Sequence, residues 1–230
     1  MNNKIKIYKM NESDICQAVD IWQGCYNKYS SGNESFPSYW KTAREEITGF
    51  LKQKVKDGAA FAAETDGRLA GYLAFDAFNF NGEESVFCPS IGHAVIDDYA
   101  DNVYLLLYQA AAKDWVSKNI FNHMWTISYN DTRLKNTLYD LGFGSYLIDA
   151  FARTDAKLDA VSSYEIRKAT SNDADILYSL VEESREYYAS SPLFLKRDSY
   201  SIDDISQILT NGNVFIAFAN NIPVGFINLS

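Results

Sequence analysis

Three side chains of this sequence are candidates for accepting a proton in a reaction. Glu83 and Glu84 lead into a strand pattern that contains His93, and each of the three can accept a proton directly or through a water. His93 also reads as a partly buried, hydrogen-bonded histidine, the commoner fate of a lone imidazole. His123 has no recognisable partner in sequence. Neither histidine joins a credible metal set, so no metal is expected, and no Ser-His-Asp pattern or phosphate-binding P-loop occurs. Cys16, Cys25 and Cys88 are scattered without CxxC spacing, which reads as buried thiols in a reducing cytoplasm rather than a disulfide framework.

The elements that must carry these groups follow from periodicity. Ile5–Tyr8 alternates with lysines as a half-buried strand, and Ile15, Val19, Trp22 and Tyr26 recur at helical spacing after Asn11 or Ser13. A second helix is predicted from Pro37-Ser38 to Asp57-Gly58. Ala59–Glu64 and Leu69–Phe78 read as strands across an Asp66-Gly67 turn. Ser85–Ile96 is the next strand, its regularity broken by Pro89 and Gly92. Asp101–Ser117 is a helix with Val103, Leu106, Leu107, Ala110, Ala111 and Trp115 on one face. Phe121–Ser128 returns as a strand, so the helix bridges a parallel crossover. A short helix Asp131–Leu141, a final strand Ser145–Arg153 and a linker Thr154–Ser163 complete this part.

The opening is then written a second time. Tyr164–Lys168, Asp173–Tyr188, Ser201–Leu209, Val214–Ala219 and Pro223–Leu229 repeat strand, helix, helix, strand, strand, and the spacing from Gly58 to Gly71 equals that from Gly212 to Gly225. The reading is one domain at 1–158 and a partial second copy at 159–230. Val214–Ala219 is apolar on both faces and asks for an interior strand. A hydrophobic hairpin left at a sheet edge invites pairing. Pro223–Leu229 is therefore expected to be covered by the first copy or by another chain, as in a homo-oligomer, or the natural protein continues beyond Ser230.

With 47% hydrophobic and 15% aromatic residues, the 230-residue chain can bury a sizeable core. Its net charge of -9 argues against nucleic acid, which recruits a surplus of Lys and Arg. Residues 1–14 leave no apolar core for a signal peptide, and the asparagines within Ile205–Ser230 argue against a membrane span.

The segment Asn130-Asp131-Thr132-Arg133-Leu134-Lys135-Asn136-Thr137-Leu138-Tyr139-Asp140-Leu141-Gly142-Phe143 resembles the closing motif of the GNAT acyltransferase superfamily, one residue short between Tyr139 and Leu141. The order of elements from residue 5 to about 153 is similar to that family, and the partial repeat is similar to tandem GNAT proteins. The fold this implies is α/β: a mixed, mostly antiparallel sheet with a parallel splayed pair flanked by helices. The activity it implies is transfer of an acetyl group from acetyl-CoA to an amine of a small molecule or peptide. Tyr139 then takes the place of the acid that protonates the leaving thiolate, with Glu83, Glu84 or His93 as base. Ala94 and Val95 on the splayed strand, Asn102 and Val103 at the helix start, and Asn130 and Thr132 early in the short helix fall at the cofactor-binding places. Asn130-Asp131 reads equally as a helix cap.

One departure stands out. The family places a glycine-rich Gln/Arg-x-x-Gly-x-Gly/Ala loop before the long helix to cradle the CoA pyrophosphate. Here Val95-Ile96-Asp97-Asp98-Tyr99-Ala100-Asp101-Asn102-Val103 has no glycine or arginine, and its aspartates occupy the diphosphate position. The rival expectation is therefore an inactive scaffold or interaction module with a degenerate CoA site.

Overall fold

In the computed structural model, which describes residues 4–150, 163–190 and 196–229 apart from the side chains of residues 100 and 101, the chain divides into two compact units, 1–156 and 157–230. The first is organised by tight turns. β2 (Ala60–Thr65) and β3 (Arg68–Ala74) join across Asp66-Gly67, whose φ values of 51° and 74° are those a type I′ hairpin needs. β1 (Lys6–Lys9) pairs antiparallel with β2. β4 (Asp76–Phe80) and β5 (Glu83–Cys88) turn back on each other at Asn81-Gly82, again with positive φ.

Two strands expected to be continuous are each divided. Leu69–Phe78 is interrupted at Phe75, between β3 and β4. Ser85–Ile96 is interrupted at Pro89, which has no N–H to give a ladder. Ser90–Gly92 winds there as a single 3-10 turn, closed by Gly92 N–H donating to Pro89 O at 2.7 Å. A side chain on Gly92 would collide with the Ala74 carbonyl, so the turn needs glycine. Beyond it β6 (His93–Val95) pairs antiparallel with β3, while β5 pairs in parallel with β7 (Asn122–Trp125). The result is a sheet ordered β1-β2-β3-β6 and a second ordered β4-β5-β7.

Helices cover both faces of the larger sheet. Alternation along β2 sends Ala60 and Ala62 to one side, where Tyr72 packs with Val19 and Trp22 of α1 (Ile15–Ser30) and Ile47 and Leu51 of α2 (Arg44–Lys56). Phe61 and Ala63 point the other way, to Leu107 and Trp115 of α3 (Ala100–Ser117) and Leu134 and Leu138 of α4 (Thr132–Asp140). Each fully buried leucine or isoleucine here contributes about 1.5–3 kcal/mol. α2 begins later than Pro37-Ser38 because Ser38–Lys41 forms its own 3-10 turn. Residues 145–150 form no strand, and the rest of the strand expected to end at Arg153 lies outside the described residues, as does the expected linker as far as residue 162. No helix among the described residues is long and apolar enough to cross a membrane.

The second unit holds β8 (Glu165–Lys168), α5 (Ala174–Ser190), α6 (Ile202–Asn211), β9 (Asn213–Ala219) and β10 (Ile222–Leu229). β9 lies between β8 and β10, the interior place its apolar faces asked for. Arg167 grips the buried Asp173 carboxylate with two hydrogen bonds of 2.6 and 2.9 Å, holding it well below the usual carboxylate range. Ala63↔Gly71 in the first unit has its counterpart in Ala217↔Gly225 in the second, each glycine following a one-residue bulge, at Ala70 and Val224.

The two glycines differ in their surroundings. A Cβ on Gly71 would sit 2.6 Å from Val95 Cγ2 and 2.8 Å from the Ala94 carbonyl, whereas one on Gly225 would meet no described residue within 4 Å. Gly71→Ala is expected to lose about 1–3 kcal/mol of stability by overpacking. Gly225→Ala should be close to neutral, and urea unfolding of the two variants checks the contrast.

Candidate functional site

The feature that positions a site is the parting of two parallel strands. β5 and β7 run in register from Ser85↔Asn122 to Cys88↔Trp125, and Thr126 N–H still donates to Cys88 O at 2.9 Å. At Pro89 the chain leaves this partner and swings across to β3. Ile96 N–H donates to Ala70 O at 2.9 Å, which fixes the alternation of β6. Ala94 faces back to Tyr72 of β3, and the N–H groups of His93 and Val95 point away from β3 on the side where β7 diverges. Of the two strand residues expected at a cofactor, Ala94 is therefore engaged in the sheet and Val95 presents its backbone outward.

His93 spans the opening. Its Nε2–H donates to Thr126 O at 2.9 Å, which leaves the Nδ1 lone pair to face the Tyr104 hydroxyl at 3.4 Å. Burial lowers its pKa, so the ring is neutral near pH 7. With both nitrogens engaged, His93 is the buried, hydrogen-bonded histidine that was the alternative to a base. Trp125 stands edge-on to His93 and to Tyr104, with Tyr108 stacked on its other side. His123 is likewise structural, between the Tyr108 hydroxyl at 3.0 Å and Ile120 O at 3.1 Å.

The start of α3 carries the charge. Both oxygens of the Asp97 carboxylate accept from Lys28 Nζ at 2.7 Å, and Arg133 Nη1 donates to the Asp97 carbonyl at 2.7 Å. Two cations from α1 and α4 thus stand beside the acidic loop and offset the repulsion its sequence implies. Asn102 is exposed, whereas the Val103 side chain is wholly buried in the core and could offer only backbone.

At α4 the cap expected from Asn130-Asp131 is supplied by Asp131. Asp131 accepts from Leu134 N–H at 3.0 Å as N-cap and from the Tyr29 hydroxyl at 2.6 Å. Burial and then this hydrogen bond push the Tyr29 phenol far up. Next to Asp131, Asn130, which the resemblance puts near a cofactor, donates Nδ2–H to the Tyr29 carbonyl at 3.0 Å. Thr132 opens the helix on an exposed face. Cys25, its thiol pushed up to about 11 by burial and so protonated at neutral pH, donates to Val95 O at 3.5 Å.

The remaining candidates are exposed. Tyr139 is 48% exposed, with its hydroxyl 2.6 Å from Ser145 Oγ, so the ring faces solvent and not the core. Glu83 accepts from Asn122 Nδ2 at 2.6 Å at the closed end of the β5–β7 pair, and Glu84 follows it on the exposed stretch of β5. Among the described residues no group of His, Cys, Asp and Glu could hold a metal ion. Lys28, Tyr29, Tyr104, Trp125 and Arg133 were not marked by sequence. Tyr29 and Asp131 are 102 residues apart, and no local pattern signals such a pair.

No family model and no curated protein sequence matches this chain. Solved structures do. A PaiA N-acetyltransferase from Thermoplasma acidophilum in complex with coenzyme A is 15% identical, with a TM-score of 0.52 over 64% of this chain and 94% of that one. A GCN5-related N-acetyltransferase from Ralstonia eutropha JMP134 is 8% identical, with a TM-score of 0.52 over 65% of this chain and 99% of that one. At these identities the likeness establishes fold: mixed α/β, acyl-CoA N-acyltransferase-like.

The neutral bridge has a pH signature. A histidine whose folded pKa lies below its unfolded value of 6.5 takes up its proton on unfolding, so stability holds above pH 6.5 and declines as pH falls through and below it. The slope reaches at most about 1.4 kcal/mol per pH unit for one proton. Urea unfolding at pH 7.5 and 5.5 is expected to show a smaller acid-side decline in His93→Gln than in the parent chain.

Proposed function

We propose that the first unit is an N-acetyltransferase, with acetyl-CoA as co-substrate and an amine of a small molecule or peptide as acceptor. The observation that carries this reading is the pair of N–H groups of His93 and Val95, turned away from β3 where β7 departs. They suit the amide carbonyls of a pantetheine arm laid along β6 as an extra strand. Lys28 and Arg133, at the start of α3, are the cations that could take the place of a glycine cradle for a diphosphate. Asn102, the Val103 backbone and Thr132 border the same loop and helix start.

The step assigned to the site is aminolysis of the thioester. The amine lone pair forms the C–N bond at the thioester carbonyl, and the C–S bond then breaks. The amine proton passes through water to Glu84, or to Glu83 once Asn122 releases it. The departing thiolate takes the proton of Tyr139, whose hydroxyl is restored by exchange with solvent through Ser145. His93 has no proton-transfer role here and serves to hold Thr126 in place. The chain as a whole is read as a tandem arrangement, with 1–158 the working domain and 159–230 a partial second copy. A cytoplasmic setting fits its three free cysteines.

A second reading, an inactive scaffold with a degenerate CoA site, is favoured by one observation: the His93 to Thr126 hydrogen bond already ties the diverging strands. Calorimetry separates the two. Acetyl-CoA is expected to bind saturably, and binding should survive Tyr139→Phe while the rate of acetyl transfer falls roughly 100-fold or more. Absence of binding at millimolar acetyl-CoA would establish the scaffold.

A further inference from the structure

In the first unit β6 occupies the outer edge of β3, and α1 roofs both strands. Val95 lies opposite Gly71 and Ala94 opposite Tyr72. The missing side chain of Gly71 is what admits Val95, since a Cβ there would stand 2.6 Å from its methyl. From above, the Cys25 thiol of α1 donates to Val95 O at 3.5 Å.

The second unit repeats every part of this arrangement except the strand. Gly225 and Phe226 take the register positions of Gly71 and Tyr72, behind the same bulge. α5, like α1, follows a 3-10 turn closed by a capping box, Thr170 with Asp173 as Asn11 with Asp14. Counting from those boxes, Ser184 takes the position of Cys25. Leu180, Ser184 and Tyr187 of α5 and Val224, Gly225 and Phe226 of β10 line an open groove of about 360 Å³. Among the described residues nothing lies within 4 Å of where the Gly225 Cβ would be, and β10 is paired on one side alone in its sheet.

We infer that this groove is a strand-acceptor site that takes an extended peptide segment of a partner polypeptide, antiparallel to β10. Its β-branched residue lies opposite Gly225 and a small residue opposite Phe226. The ladder supplies affinity, and the absent Cβ and the aromatic neighbour supply selection. The Ser184 hydroxyl donates to the carbonyl of the residue opposite Gly225, as Cys25 does to Val95. The occupant is a bare strand and not the β10 of a second copy. α1 roofs two strands at once, so a two-fold pair of β10 edges would bring two copies of α5 over the same two strands.

The test uses the full chain and a fluorescein-labelled peptide with the sequence of residues 90–97, Ser-Ile-Gly-His-Ala-Val-Ile-Asp, which contains the strand filling the equivalent place in the first unit. Anisotropy is expected to report saturable binding, weakened at least tenfold by Gly225→Val and several-fold by Ser184→Ala. A peptide with proline in place of its alanine should not bind, because proline removes a ladder donor. Gly225→Val should unfold at the parental temperature, since φ at Gly225 is not positive and its Cβ meets no neighbour among the described residues. Binding that Gly225→Val leaves unchanged, binding of the proline peptide, or no binding at all overturns the assignment. So does a dimer in light scattering that Gly225→Val dissociates, which would make a second copy the occupant.

Discussion

The architecture of the first unit depends on one interruption of a hydrogen-bond ladder. Up to Cys88 and Trp125 two parallel strands satisfy each other's backbone groups; at Pro89 one of them stops doing so. Proline withholds its N–H, the turn that follows closes on Pro89 O, and Gly92 lets the chain pass against the Ala74 carbonyl. β6 then finds a different partner in β3. A buried strand that changes partners exposes backbone N–H groups to a gap, and unpaired groups in such a place are costly unless something meets them. On the β7 side the His93 side chain meets the Thr126 carbonyl, while the N–H groups of His93 and Val95 in β6 point into the gap.

The surroundings reinforce the gap without filling it with charge. Tyr104 and Trp125 stand edge-on to His93, Tyr108 stacks on Trp125, and burial lowers the imidazole pKa and keeps it neutral. The acidic loop before α3 looks hostile to phosphate when its residues are counted. In three dimensions Asp97 is paired with Lys28, and Arg133 leans on the same turn. A second bridge, Tyr29 to Asp131, ties the end of α1 to the start of α4, so the helices that flank the opening are joined to each other. Exposed ion pairs such as Lys28–Asp97 contribute little to stability, and their relevance is to the local field.

Much of the fold was legible because its signals are local. Asp66-Gly67 announced a hairpin, the apolar face of α3 announced a buried helix, and the two-faced apolar run from Val214 to Ala219 announced an interior strand. The broken regularity at Pro89 and Gly92 was visible as well, although its consequence, a change of partner, was not. The site was less legible because its decisive contacts join distant residues. His93 meets Thr126, Asn130 meets the Tyr29 carbonyl, and Cys25 meets Val95 across a helix-sheet interface. The order of elements implied that strands part; which side chain spans the parting depends on tertiary packing that no spacing encodes.

The central claim, that backbone N–H groups of β6 receive a ligand where β7 diverges, is tested most directly by amide NMR during titration with acetyl-CoA. The His93 and Val95 amide resonances should shift saturably, together with the Thr126 amide, while Ala94 and Tyr72, paired within the sheet, move far less. Unchanged His93 and Val95 amides at saturating acetyl-CoA, or shifts confined to a surface remote from β6, would contradict it.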